Sequence, residues 1–202
     1  MDKIIKSTLT NIAGFYDQRQ VGNVGPLGFR RSTNLKILLN CLNRLIEEQI
    51  IIPNISTFLD LGCADGRVNV FLSYLMKVSI GIELDEWTLD EYQPLQDKLD
   101  IKLKKAGLMA PPKNIHLFQG DAIREKIYNT IGNQTGCFFE DIDIFYTYLM
   151  LNAEIAELIV KKAKKGAVFM IYGLDRIMPH YDGLHLLKGL SPLEGILAVY
   201  RK

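Results

Sequence analysis

Phe58-Leu59-Asp60-Leu61-Gly62-Cys63-Ala64-Asp65-Gly66 is an apolar run that closes on a glycine-bounded turn and opens into a helical pattern. After Gly66, apolar residues recur at Val68, Phe71, Leu72 and Leu75, the spacing of one buried helix face. Before it, a short aromatic and aliphatic run bounded by Pro53 and Asn54 reads as a strand. Strand, glycine turn and helix make the first half of a nucleotide-binding βαβ unit. Val78-Ser79-Ile80-Gly81-Ile82-Glu83 supplies the second strand, with a carboxylate at its end. A carboxylate about 20 residues past the glycines suits a ribose diol, because it accepts both hydrogen bonds.

The glycine spacing narrows the nucleotide. A dinucleotide fingerprint needs G-x-G-x-x-G, whereas here Gly62 and Gly66 flank Ala64. Asp65 at the start of the helix would repel a pyrophosphate, which needs a free helix N-terminus. An acidic neighbourhood favours a ligand with a positive centre.

These residues resemble a known family. Asp60-Leu61-Gly62-Cys63-Ala64-Asp65-Gly66 is similar to the first motif, D-x-G-x-G-x-G, of class I (seven-strand) S-adenosylmethionine-dependent methyltransferases, with Ala64 replacing the middle glycine. Glu83 falls where that family places its ribose-binding acid. Asn114 to Ala122 resembles the strand and turn whose acid, here Asp121, meets the adenine amino group. Asp143-Ile144-Phe145-Tyr146 resembles the fourth strand, which leads to the reacting methyl. The resemblance runs from about residue 55 to the C-terminus. It implies a three-layer, doubly wound, mostly parallel seven-stranded sheet with an antiparallel C-terminal strand. It also implies S-adenosylmethionine as cofactor, held by Asp60, Gly62, Cys63, Ala64, Gly66, Glu83, Leu84, Asp121 and Ala122.

For the reaction, the resemblance points to Tyr146, Tyr148 and Asp143 on and after the fourth strand. Tyrosine rings there would orient an amine by cation–π contact and hydrogen bonding. The Asn/Asp-Pro-Pro-Tyr/Phe signature of enzymes that methylate planar nitrogens is missing. Glu140 to Asn152, with the lysine-rich helix and Gly166 behind it, is more similar to small seven-strand protein-lysine methyltransferases. A protein lysine is therefore the guessed acceptor, with RNA or a small metabolite as alternatives. A nicotinamide-dependent oxidoreductase and a non-catalytic cofactor-binding module also stay open. Plainer readings accompany the motifs: Gly62 and Gly66 as a tight turn, Glu83 as a solvated strand end, Asp121 as a helix cap. Cys63 reads as a small packed residue, and nothing nearby lowers its pKa. His116, His180 and His185 show no metal-ligand spacing, so no metal is expected.

Composition bounds the rest. The chain has 202 residues, 48% of them apolar, enough for one sizeable core, and a net charge of +1. That charge gives no global pull towards nucleic acid or anionic membrane. Three scattered cysteines, no apolar run of spanning length and no signal-like start lead to an expected cytoplasmic, non-membrane setting. Residues 1–202 read as a single domain, with 1–50 as an N-terminal lid or helical segment and 51–202 as the core.

Within the first segment, Gly14, Gly22, Gly25, Pro26 and Gly28 punctuate the chain too often for regular structure throughout. Tyr16, Asp17, Arg30 and Arg31 mark a candidate lid. Ser32 or Thr33 is expected to cap a helix whose apolar face runs from Leu35 to Ile46. Residues 86 to about 105 read as one helix kinked at Pro94. Asn152 is expected to cap a helix that Gly166 stops, followed by a buried strand from Ala167 to Tyr172. Two closing apolar runs, Leu184 to Leu187 and Ile196 to Tyr200, lie too close for a helical crossover and should pair antiparallel.

Overall fold

A computed structural model describes residues 1–25 and 28–202; Pro26 and the side chain of Arg30 fall outside the described residues. The chain begins with α1 (Lys3–Tyr16), the hairpin strands β1 (Val21–Gly25) and β2 (Gly28–Arg30), and α2 (Leu35–Glu47). β3 (Thr57–Leu61), α3 (Arg67–Ser73) and β4 (Val78–Glu83) form the βαβ unit expected from the opening motif. α4 (Glu86–Leu89), α5 (Tyr92–Lys105), β5 (Ile115–Gln119), α6 (Glu125–Thr135), β6 (Ile144–Tyr148), α7 (Asn152–Lys162) and β7 (Val168–Tyr172) follow, then β8 (His185–Leu186) and β9 (Leu197–Arg201).

β3 to β9 make one seven-stranded sheet in the order β5-β4-β3-β6-β7-β9-β8. β3 to β7 are mutually parallel, whereas β9 runs antiparallel to both β7 and β8. The short connection between the last two apolar runs leaves no room for a crossover, so the reversal follows.

Successive strand residues face opposite sides of a sheet, which sorts the core into two layers. Phe58, Tyr146, Met170, Tyr172 and Val199 pack with residues of α1, α2, α3 and α5. Leu59, Leu61, Phe145, Phe169 and Ile171 pack with residues of α6 and α7 on the other face. No helix among the described residues is long and apolar enough to cross a membrane.

Several local expectations are corrected. The N-terminal segment, expected to be too punctuated by glycine for regular structure throughout, carries the fourteen-residue α1, with Leu9, Ile12, Ala13 and Tyr16 wholly buried. Gly14 sits inside that helix, where packing of one apolar face outweighs its low propensity. α2 is capped by neither Ser32 nor Thr33. The Asn34 side chain accepts from Ile37 N at 3.0 Å, and Asp17 accepts from Leu35 N and Lys36 N at 2.9 and 3.0 Å. Three orphan donors of the first turn are thereby satisfied, two of them from the end of α1.

The single helix kinked at Pro94 is instead α4 and α5, broken at Asp90 and Glu91. Pro94 then lies in the first turn of α5, where its missing N–H would have had no partner anyway. Leu151, not Asn152, is the cap residue of α7, and the helix ends before Gly166.

Candidate functional site

Parallel strands gather their carboxyl ends along one edge, and the turn after β3 lies at the middle of it. Gly62 N and Cys63 N both donate to Ile82 O at 2.9 Å, which lays the turn against β4. That approach needs Gly81 on β4: a Cβ there would stand 2.8 Å from the Cys63 Cβ and 2.7 Å from both Asn69 Oδ1 and Leu117. Gly66 opens α3 at φ +72°, where a Cβ would meet Leu117 and Tyr92 at 2.7 and 2.8 Å. Ala64 also lies at positive φ, +50°. Glu83, at the tip of β4, accepts from Ala64 N at 2.9 Å through one oxygen and from Asp85 N at 3.0 Å through the other. Its carboxylate therefore fixes the turn as well as facing the crevice.

A cavity of about 280 Å³ opens over this turn, lined by Arg31, Gly62, Ala64, Glu83, Tyr148, Leu149 and Met150. A larger hollow of about 500 Å³ lies by Arg44, Lys188 and Arg201, at the far edge of the sheet. Convergent chemistry, not size, makes the former the candidate site. Of the residues expected from sequence, Gly62, Ala64, Glu83 and Tyr148 line one space. Leu84, Asp121 and Ala122 are not in its lining; they follow the adjacent ends of β4 and β5, which Gly120 N joins by donating to Glu83 O at 2.8 Å. Leu84 is 66% exposed. Asp121 caps no helix; it accepts from Ile123 N at 3.1 Å, and α6 begins later, after Arg124.

Other expected residues lie away from the cavity. Asp60 is buried beneath the turn, and burial raises its pKa well above the usual carboxylate range, with Glu83 and Asp65 adding to the rise. Cys63 is packed, and burial likewise pushes its thiol up. Asp65 does not project negative charge into the site. Its side chain is wholly buried, held by Arg67 Nε and Nη2 at 3.0 Å each and by Arg19. Arg19 continues to Glu91 at 2.8 Å, so the turn, the end of α1 and the start of α5 share one network.

Asp143 is a correction. It precedes β6, at the opposite edge of the sheet, roughly 16 Å of strand from Tyr148. There it accepts from Thr57 N and Thr57 Oγ1 at 2.8 and 2.9 Å and pairs with Lys164 at 2.6 Å. Burial opposes its charge, but Lys164 and the Thr57 donors together hold its carboxyl below the usual range. It is a fastening of β3 to β6 and has no access to the cavity. Tyr146 is 1% exposed in the core, its hydroxyl 2.5 Å from Thr33 Oγ1, and burial raises its pKa. Tyr148, one alternation further on, reaches the rim and packs its ring 5.3 Å from that of Tyr172.

Leu149 and Met150 were missed. They stand with Leu151 in an exposed apolar turn, with Leu149 and Leu151 at φ +48° and +46°. Bulky residues there store strain of about 1–3 kcal/mol each. Only the three consecutive apolar residues after an apolar strand hinted at this. His116 on β5, His185 on β8 and His180, 3.1 Å from Asp182, occupy separate places.

Strand order and terminal reversal agree with what the motifs implied. The fold is Rossmann-like, of the seven-strand methyltransferase type. Among solved structures, the chain is similar to an RNA methyltransferase from Salinibacter ruber in complex with S-adenosyl-L-homocysteine. That pair shares 18% identity over 85% of this chain and 92% of the other, with a TM-score of 0.49. An rRNA methylase from Streptococcus thermophilus follows at 17% identity, 82% and 96% coverage and a TM-score of 0.47. A precorrin 8w decarboxylase from Methanobacterium thermoautotrophicum shares 21% identity over 72% and 66%, with a TM-score of 0.46. No protein-family model and no curated protein matches the chain.

Proposed function

We propose that this chain transfers a methyl group from S-adenosylmethionine to an amine, with a protein lysine as acceptor. The observation that carries the cofactor reading is the joining of Glu83, the Gly62–Ala64 backbone and an apolar wall in one cavity. A carboxylate suits the ribose diol, a close-approaching backbone suits the polar tail, and Tyr148, Leu149 and Met150 keep water from the sulfur. Exposed Leu84 offers an apolar face to the adenine, and Asp121 follows β5, the strand paired with β4.

When bound, the cofactor supplies an electrophilic methyl on a sulfonium, which leaves as a neutral thioether. The protein then needs to align the acceptor, exclude water and keep the incoming amine unprotonated. Tyr148, backed by Tyr172, stands where it can orient that amine through its ring face.

Charge on the same edge supports an amine. The turns at 84–86, 120–124, 148–154 and 173–176 carry Asp85, Glu86, Asp121, Glu154 and Asp175 against Arg124 and Arg176, with Arg31 in the cavity wall as a third cation. Arg124 is itself paired with Asp121 at 3.5 Å. Such an edge attracts a cationic segment and repels a phosphodiester.

Calorimetric titration with S-adenosylmethionine, S-adenosylhomocysteine and NAD tests the cofactor. Binding of the two sulfur compounds, weakened at least tenfold by Glu83→Gln, is the expected result. Preference for NAD, or no binding, would overturn it. Labelled-methyl transfer to lysine-rich protein and to RNA then separates the acceptors. Cofactor binding without transfer to any acceptor would favour a non-catalytic module.

A further inference from the structure

Among the described residues, Arg31 is the cation that lines the cavity, and none of them forms an ion pair with it. Its neighbours are held with unusual firmness for a connecting segment. Ser32 Oγ accepts from Arg67 Nη1 at 2.9 Å, and Thr33 Oγ1 lies 2.5 Å from the Tyr146 hydroxyl. Arg67 is 3% exposed, its guanidinium forked onto buried Asp65 and lying 5.6 Å from the Tyr16 ring centre. A chain of contacts thus runs from the turn after β3, through Asp65 and Arg67, to the residues that follow Arg31. An exposed arginine on a backbone pinned at the next two positions is a preorganised anion receptor.

We infer that Arg31 binds the α-carboxylate of the cofactor's amino-acid tail, and that Arg67 is a positioning residue acting through Ser32. The inference rests on the cofactor reading above and adds the polarity of the site. Glu83 takes the diol end and Arg31, in the same cavity lining, the carboxylate end. The buried Asp65, whose charge is absorbed by two arginines, serves to hold Arg67 in place.

Two ligands isolate the tail. S-adenosylhomocysteine carries the carboxylate, while 5′-methylthioadenosine shares the nucleoside and thioether without it. Titration of wild type, Arg31→Met and Ser32→Ala with both, after thermal melts confirm folding, gives a clear readout. Arg31→Met should weaken S-adenosylhomocysteine roughly tenfold or more, the loss of a charge-assisted pair, and leave methylthioadenosine within about twofold. Ser32→Ala should give the same selective loss at about three- to fivefold. Equal weakening of both ligands, or no change in either, overturns the assignment. A wild type that binds neither nucleoside overturns the cofactor reading itself, and this inference with it. Arg67→Met is the less useful variant, because breaking a buried pair threatens the fold.

Discussion

Asp60 carries a titration whose sign is definite. Burial raises its folded pKa first, with Glu83 and Asp65 adding to it, so the folded chain keeps a proton that the unfolded chain loses. Between the unfolded carboxylate value and the raised folded value, the folded state binds more protons, and stability falls as pH rises. Thermal melts across that window should show wild type losing stability, and Asp60→Asn should flatten the slope. An unchanged slope would mean that Asp60 titrates normally. Gly66 is a second single-residue determinant. Gly66→Ala combines a positive φ with contacts at 2.7 and 2.8 Å, and a denaturant midpoint should report a loss of about 2–4 kcal/mol.

At the level of elements, α1 and α2 are tied to each other by a side chain that crosses between segments. Asp17, at the end of α1, caps the start of α2 through two backbone donors. Asp17→Ala should cost about 1–2 kcal/mol in urea unfolding while leaving cofactor affinity almost unchanged. Asp65 is the converse case, because it joins the site's turn to α1 and α5. Asp65→Asn leaves Arg67 buried with a weakened partner and should cost about 3–5 kcal/mol. Reversing Arg19 alone tests the same network from its more exposed end, and a double-mutant cycle would show coupling if the network acts as one unit.

The sheet as a whole sets which groups can meet. Parallel strands bring Gly62, Glu83, Asp121 and Tyr148 to one edge and send Asp143 to the other, although Asp143 and Tyr148 are close in sequence. The carboxylates along the edge that holds the candidate site belong to this scale too, since no single turn is strongly acidic. If they steer the acceptor, the association of a lysine-rich substrate should weaken as salt rises from about 50 to 200 mM, where screening shortens the range of the field. Stronger binding of RNA than of a cationic protein at the same ionic strength would contradict that.

Periodicity and turn chemistry are local properties, so the βαβ unit, the sheet's terminal reversal and the glycine turn with Glu83 were all legible in the sequence. The exact caps were less so. Asn34 against Thr33, and Leu151 against Asn152, depend on which residue leaves the helical conformation, and neighbouring segments decide that. Long-range pairing was not legible at all. Nothing in the order of residues announces that Asp65 is neutralised by Arg19 and Arg67, that Tyr146 is sealed beneath Thr33, or that Leu149 and Leu151 adopt positive φ without glycine. By itself the sequence determined the layers and the turn, because burial and backbone preference act over a few residues. Only the tertiary structure decided which charges stay open to a ligand, because a charge is cancelled by whatever the fold brings within a few ångströms of it.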